Sequence, residues 1–114
     1  MEQKEIRIYI SGAITGLPYD EAKGNFAKAE TDAIRLVGKM ASASKEIVLV
    51  NPMKLEHKTD ATWEDYMEVD IAALLRCDMI YMMKNWQNSK GARVEHAIAI
   101  ELGLLVIFES KHSI

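Results

Sequence analysis

Four short apolar runs punctuate this chain, and the segments between them carry helical rather than strand-like spacing. The runs are Ile6–Ile10, Glu46–Val50, Asp78–Met83 and Leu104–Phe108. In the first, Ile6, Ile8 and Ile10 alternate with Arg7 and Tyr9, the period of a strand. Between runs one and two, Ala22, Phe26, Ala29, Ala33, Leu36 and Val37 recur at helical spacing over about Asp20–Met40. Asp20 is a candidate N-cap, and Ser42–Ser44 breaks the pattern before the second strand. That second run, EIVLV, reads as a strand of buried type. A polar connection at 53–61 leads to Thr62 and Asp65, spaced as a capping box. The helix they open carries Tyr66, Met67, Ile71, Leu74 and Leu75. A third helix spans Ala92–Leu102, and Gly103 has the place and type of a helix-ending C′ residue.

The resulting order is βαβαβαβ within one domain, residues 1–114, which requires a parallel sheet covered on both faces. Right-handed crossovers then favour the strand order 2-1-3-4, an α/β flavodoxin-like three-layer sandwich. In that order the crevice lies between strands one and three. The loop SGAITG follows strand one and NWQNSKGARVE follows strand three, so both converge on the place where open sheets bind ligands.

Composition narrows the partner. Fourteen basic against 17 acidic side chains leave a net charge of −3, which offers no basic field for a nucleic-acid backbone. No apolar run approaches membrane-spanning length, and MEQKEIRIYI has no signal-peptide core; the expectation is a cytoplasmic protein. Cys77 is the lone cysteine, expected as a buried thiol. His57, His96 and His112 lack metal-ligand spacing, and neither a metal nor a cofactor is expected.

Several residues at the two loops invite a chemical reading beside a plain one. Ser11, Gly12, Ala13, Ile14 and Gly16 either make a tight turn or present backbone N–H groups to a phosphate or sugar oxygen. Glu95 either steadies the start of a helix or faces a ligand. The helix dipole should keep it ionised. Asp70 falls between Met67 and Leu74 on a face that should be buried, where a lone carboxylate is costly without a partner. Asp78 reads as a turn acid, and Glu101 and Glu109 as solvated. Ser89 is the natural N-cap of the third helix, with Gly91 just after it. Tyr9 packs in the core or reaches a carboxylate. Trp86, in a polar loop, stacks on a ligand, meets a neighbouring subunit or closes over the core.

Taken together, IYISGAITG, the D-x7-D spacing of Asp70 and Asp78, and S-x-G-x-x-x-E in SKGARVE resemble the nucleoside 2-deoxyribosyltransferase superfamily. That superfamily includes hydrolases of 2′-deoxynucleoside 5′-phosphates. The resemblance runs over nearly the whole chain. It implies Glu95 as the nucleophile at C1′ of the deoxyribose, Asp70 as the acid serving proton transfer and ribose contacts, and Tyr9 as the orienter of the nucleophile. Ser89 and the Gly12 loop fall near the 5′ group. It further implies a nucleoside or nucleotide substrate and a homodimer or larger homo-oligomer. Two features depart from the transferases: only six residues follow Phe108, and the NWQNSK loop replaces an acidic or proline-containing one. A non-catalytic nucleotide-binding module, an NAD-type glycohydrolase and a plain interaction domain are the rival expectations.

Overall fold

The computed structural model describes residues 4–40 and 45–110. The break at 42–44 and His112 therefore lie outside the described residues. The elements are β1 (Glu5–Ser11), α1 (Tyr19–Met40), β2 (Glu46–Val50), α2 (Trp63–Leu74), β3 (Met79–Met82), α3 (Lys90–Leu102) and β4 (Leu105–Phe108). Single 3-10 turns at Pro52–Lys54 and Trp86–Asn88 complete the description. All strand pairings are parallel, in the order β2-β1-β3-β4 that the alternation predicts. The architecture is the flavodoxin-like α/β sandwich.

Period-two alternation in β1 sorts its side chains between two cores. Ile8 and Ile10 pack with Phe26, Ala29, Ala33 and Val37 of α1 on one face. Tyr9 turns to the other face, with Leu74 of α2 and Ala92 and Ala99 of α3. The register sets Ile8 beside Met79 and Ser11 beside Met82, so the two central strands end together. Beyond that point the Met83 N–H still donates to the Ser11 carbonyl at 2.8 Å. The loops following β1 and β3 consequently rise side by side.

Element ends differ from the sequence reading in physically simple ways. α3 begins at Lys90, two residues before Ala92, because Ser89 itself is the N-cap and accepts from the Ala92 N–H at 3.2 Å. Asp20 lies inside α1 and does not cap it; the helix starts after Pro18, whose carbonyl takes the Ala22 N–H. β2 is not a buried strand: as a sheet edge it buries only Val50 fully. The other edge, β4, leaves Leu105 and Phe108 more than half exposed. Leu75 and Tyr66, read as part of the apolar face of the second helix, are also exposed. Gly103 does close α3 in the left-handed region, at φ 73°, where a Cβ would be strained. Cys77 is buried, and burial pushes its thiol up to about 11. No helix of the described residues is long and apolar enough to cross a membrane.

The entry to α2 is a complete capping box. Thr62 Oγ accepts from the Asp65 N–H at 3.1 Å, and the Asp65 carboxylate accepts from the Thr62 N–H at 2.9 Å. Thr62→Ala is expected to lower stability by about 1 kcal/mol. The check is a lower denaturant midpoint with an unchanged slope.

Candidate functional site

β1 and α3 build the floor of the site together. Tyr9 and Ser11 are two residues apart on β1 and so share a face. Glu95 stands three residues after Ala92 and four before Ala99, on the stripe of α3 that packs against that face. The geometry delivers the carboxylate to both hydroxyls. Tyr9 donates to Glu95 Oε2 and Ser11 donates to Oε1, each at 2.7 Å. Glu95 is only 5% exposed.

Burial dominates its titration. Loss of solvent pushes the Glu95 carboxyl up to about 7, with the Ser11 and Tyr9 hydrogen bonds pulling down and the nearby Asp70 charge adding a further push upward. The sequence expectation of a firmly ionised Glu95 is therefore corrected. The residue is in the second turn of α3, beyond the reach of the dipole's strongest field, and desolvation outweighs what remains. Burial, and then the Glu95 carboxylate, raise Tyr9 well above the usual phenol range, so its hydroxyl stays a donor.

Asp70 brings a second carboxylate to the site. It is 6% exposed on α2, and Oδ1 lies 3.0 Å from His57 Nε2. Burial raises its pKa while His57 pulls the other way. The His57 ring rests against Tyr66, with centroids 4.3 Å apart and a 36° tilt. His57 belongs to the segment 51–62, which is moored at its ends. Asn51 Oδ1 accepts from the Met53 N–H at 2.9 Å and its amide donates to Glu30, while Thr62 is locked into the cap of α2.

These elements enclose a cavity of about 680 Å³ to which both acids contribute. Gly12 and Ile14 of the first loop line it, as do Ser89 and Gly91 at the start of α3. Tyr9 and Ser11, fully buried, stand behind Glu95 and act on the cavity through it. Ala13 is a loop clamp, its N–H donating to Asn85 Oδ1 at 3.1 Å. Gly16, exposed and at φ 89°, turns the chain outside the cavity. Asp78 is structural. Its carboxylate accepts from the Arg7 N–H and its own N–H donates to the Arg7 carbonyl, both at 2.8 Å. Glu109, read as solvated, accepts from the Lys84 N–H at 2.9 Å.

Of the three readings of Trp86, the structure takes the lid over the core and not the ligand stack. Its indole packs on His96 and Phe108, with centroids 4.4 and 6.2 Å away, and does not line the cavity. The indole that does is Trp63, with Lys90 Nζ 4.3 Å from its ring centroid. Neither Trp63 nor His57 is among the site residues expected from the sequence. For His57 a signal existed: a carboxylate on the buried face of α2 demands a partner, and the polar connection just before that helix holds a histidine. Among the described residues no cluster of three or more His, Cys, Asp or Glu could hold a metal ion.

Set against known proteins, no curated sequence matches the chain. Residues 6–108 match the model of a family described as a domain of unknown function, DUF4406. That span holds all three helices and every residue lining the cavity. The chain is thus a member of the DUF4406 family.

Proposed function

We propose that the protein cleaves or transfers the N-glycosidic bond of a 2′-deoxynucleoside or its 5′-monophosphate, with Glu95 as nucleophile. The observation that carries this reading is the grip of Tyr9 and Ser11 on both oxygens of a cavity-facing carboxylate. Two hydroxyl donors fix the carboxylate in one orientation and leave each oxygen a lone pair for carbon. Asp70, paired with His57, borders the same cavity and supplies the proton-handling partner that a retaining glycosidic mechanism requires. The cavity volume suits a nucleoside-sized ligand. Glu95 attacks C1′, the base departs with the bonding electrons, and water or a second base then displaces Glu95 from the sugar. The reading carries with it a cytoplasmic, homo-oligomeric enzyme.

The test is to incubate the protein with each deoxynucleoside and deoxynucleotide, with and without a foreign free base, and to follow the bases by chromatography. A new nucleoside marks transfer and free base alone marks hydrolysis; neither product from any substrate overturns the reading. Because Glu95 attacks as the anion and ionises near 7, turnover should climb as pH rises through that value. Tyr9→Phe removes one donor from the charged form, so the acid limb of the pH–rate profile should move to higher pH. Near neutrality turnover should fall about 10- to 100-fold. A profile that keeps its position would show that Tyr9 does not tune the nucleophile.

A further inference from the structure

A departing base must receive a proton, and one oxygen of Asp70 is already engaged. Asp70 Oδ1 faces His57 Nε2 at 3.0 Å. With Asp70 ionised, Nε2 carries hydrogen and donates to it, which leaves Nδ1 as the ring atom that can meet a ligand. His57 lines the cavity, and among the described residues its Nδ1 has no hydrogen-bond partner and is not sealed from solvent. The stack on Tyr66 limits rotation of the ring. A histidine oriented by a buried carboxylate at one nitrogen and open at the other is the arrangement of a proton carrier.

We infer that His57 is the residue that protonates the departing base, and that Asp70 is a positioning residue which holds the imidazole for that task. The inference rests on the glycosidic reading of the cavity. The step balances as follows. A Glu95 oxygen forms a bond to C1′ as the C1′–N bond breaks; its electron pair goes to the base nitrogen, which takes the proton from Nδ1 of the imidazolium. In the second half, neutral Nδ1 takes a proton from water as the water oxygen bonds to C1′. The Glu95–C1′ ester bond breaks and the free carboxylate returns. Asp70 stays ionised throughout.

Leaving-group dependence separates this role from a structural one. Two substrates are compared: the deoxynucleoside turned over fastest, and 4-nitrophenyl 2-deoxy-β-ribofuranoside, whose phenolate leaves without a proton. His57→Gln should lower kcat on the deoxynucleoside about 10²- to 10³-fold and on the aryl substrate less than about threefold. His57→Ala serves as the second variant should the glutamine protein not fold, with added imidazole expected to restore part of the deoxynucleoside rate. Asp70→Asn should show the same selective loss in weaker form. Equal losses on both substrates would overturn the inference while the glycosidic reading stands. Turnover of neither substrate by the wild-type protein would instead remove that reading itself.

Discussion

Glu95→Gln is expected to yield a protein that is nearly inactive yet more stable than the wild type near neutral and alkaline pH. Loss of the nucleophile should cost about 10⁴-fold or more in kcat. The stability gain follows from linkage. Unfolded, Glu95 ionises near the ordinary glutamate value of 4.5; folded, burial holds it at about 7. Between those values the folded state binds more protons than the unfolded one, so this group's contribution falls as pH rises through the window and is flat above it. Glutamine has no such term. Its amide oxygen can accept from one of the Tyr9 and Ser11 hydroxyls while its NH₂ donates to the other. The variant should therefore exceed the wild type by about 3 kcal/mol near pH 8, a gap that closes as pH falls toward 4.5. Denaturant midpoints at several pH values check this. A variant that is less stable at every pH would mean the carboxylate is not held at the cost of desolvation.

The second large effect belongs to Gly12→Ala. A Cβ at this position would overlap Met83 Sδ and come within 2.9 Å of Met83 Cβ. Met83 is 3% exposed, and its backbone N–H is pinned to the Ser11 carbonyl. The methionine side chain can bend, but its Cβ cannot leave without the strand end. The first loop must shift instead, away from the place where Gly12 lines the cavity. Overpacking of this kind costs about 1–3 kcal/mol. KM for the substrate should rise with it, because the displaced loop is part of the wall. Gly24→Ala is the matched control. A Cβ there meets nothing within 4 Å on an exposed face of α1, so stability should rise by about 0.5–1 kcal/mol with activity unchanged. If the two alanines behave alike, close approach at Gly12 is not what the loop depends on.

Topology was legible because a few rules act on it: four short strands, three amphipathic crossovers and a fixed handedness leave one economical order. The capping box at Thr62 was legible because it is local. So was the burial of Asp70, from its place between Met67 and Leu74 on one helical face. What escaped is whatever depends on partners far along the chain. The environment of Glu95 comes from residues 84 and 86 positions away, and no local helix argument weighs their burial. The two tryptophans sit in similar polar surroundings; only the approach of His96 and Phe108 takes Trp86 out of the cavity. The edge strands are a different kind of miss. The order 2-1-3-4 already placed β2 at a rim, and reading its hydrophobicity as full burial ignored that consequence.

Glu95 and His57 are mounted in unlike ways, and this bears on how such a protein could be altered. Glu95 rides on a helix braced against the central strand, whereas His57 hangs from residues 51–62, fastened at either end. On the proposed chemistry, carbon attack and base departure then belong to separately replaceable parts. Grafting a different ten residues between Asn51 and Thr62 would change which leaving group is welcomed, with the sugar-attacking half left as it is.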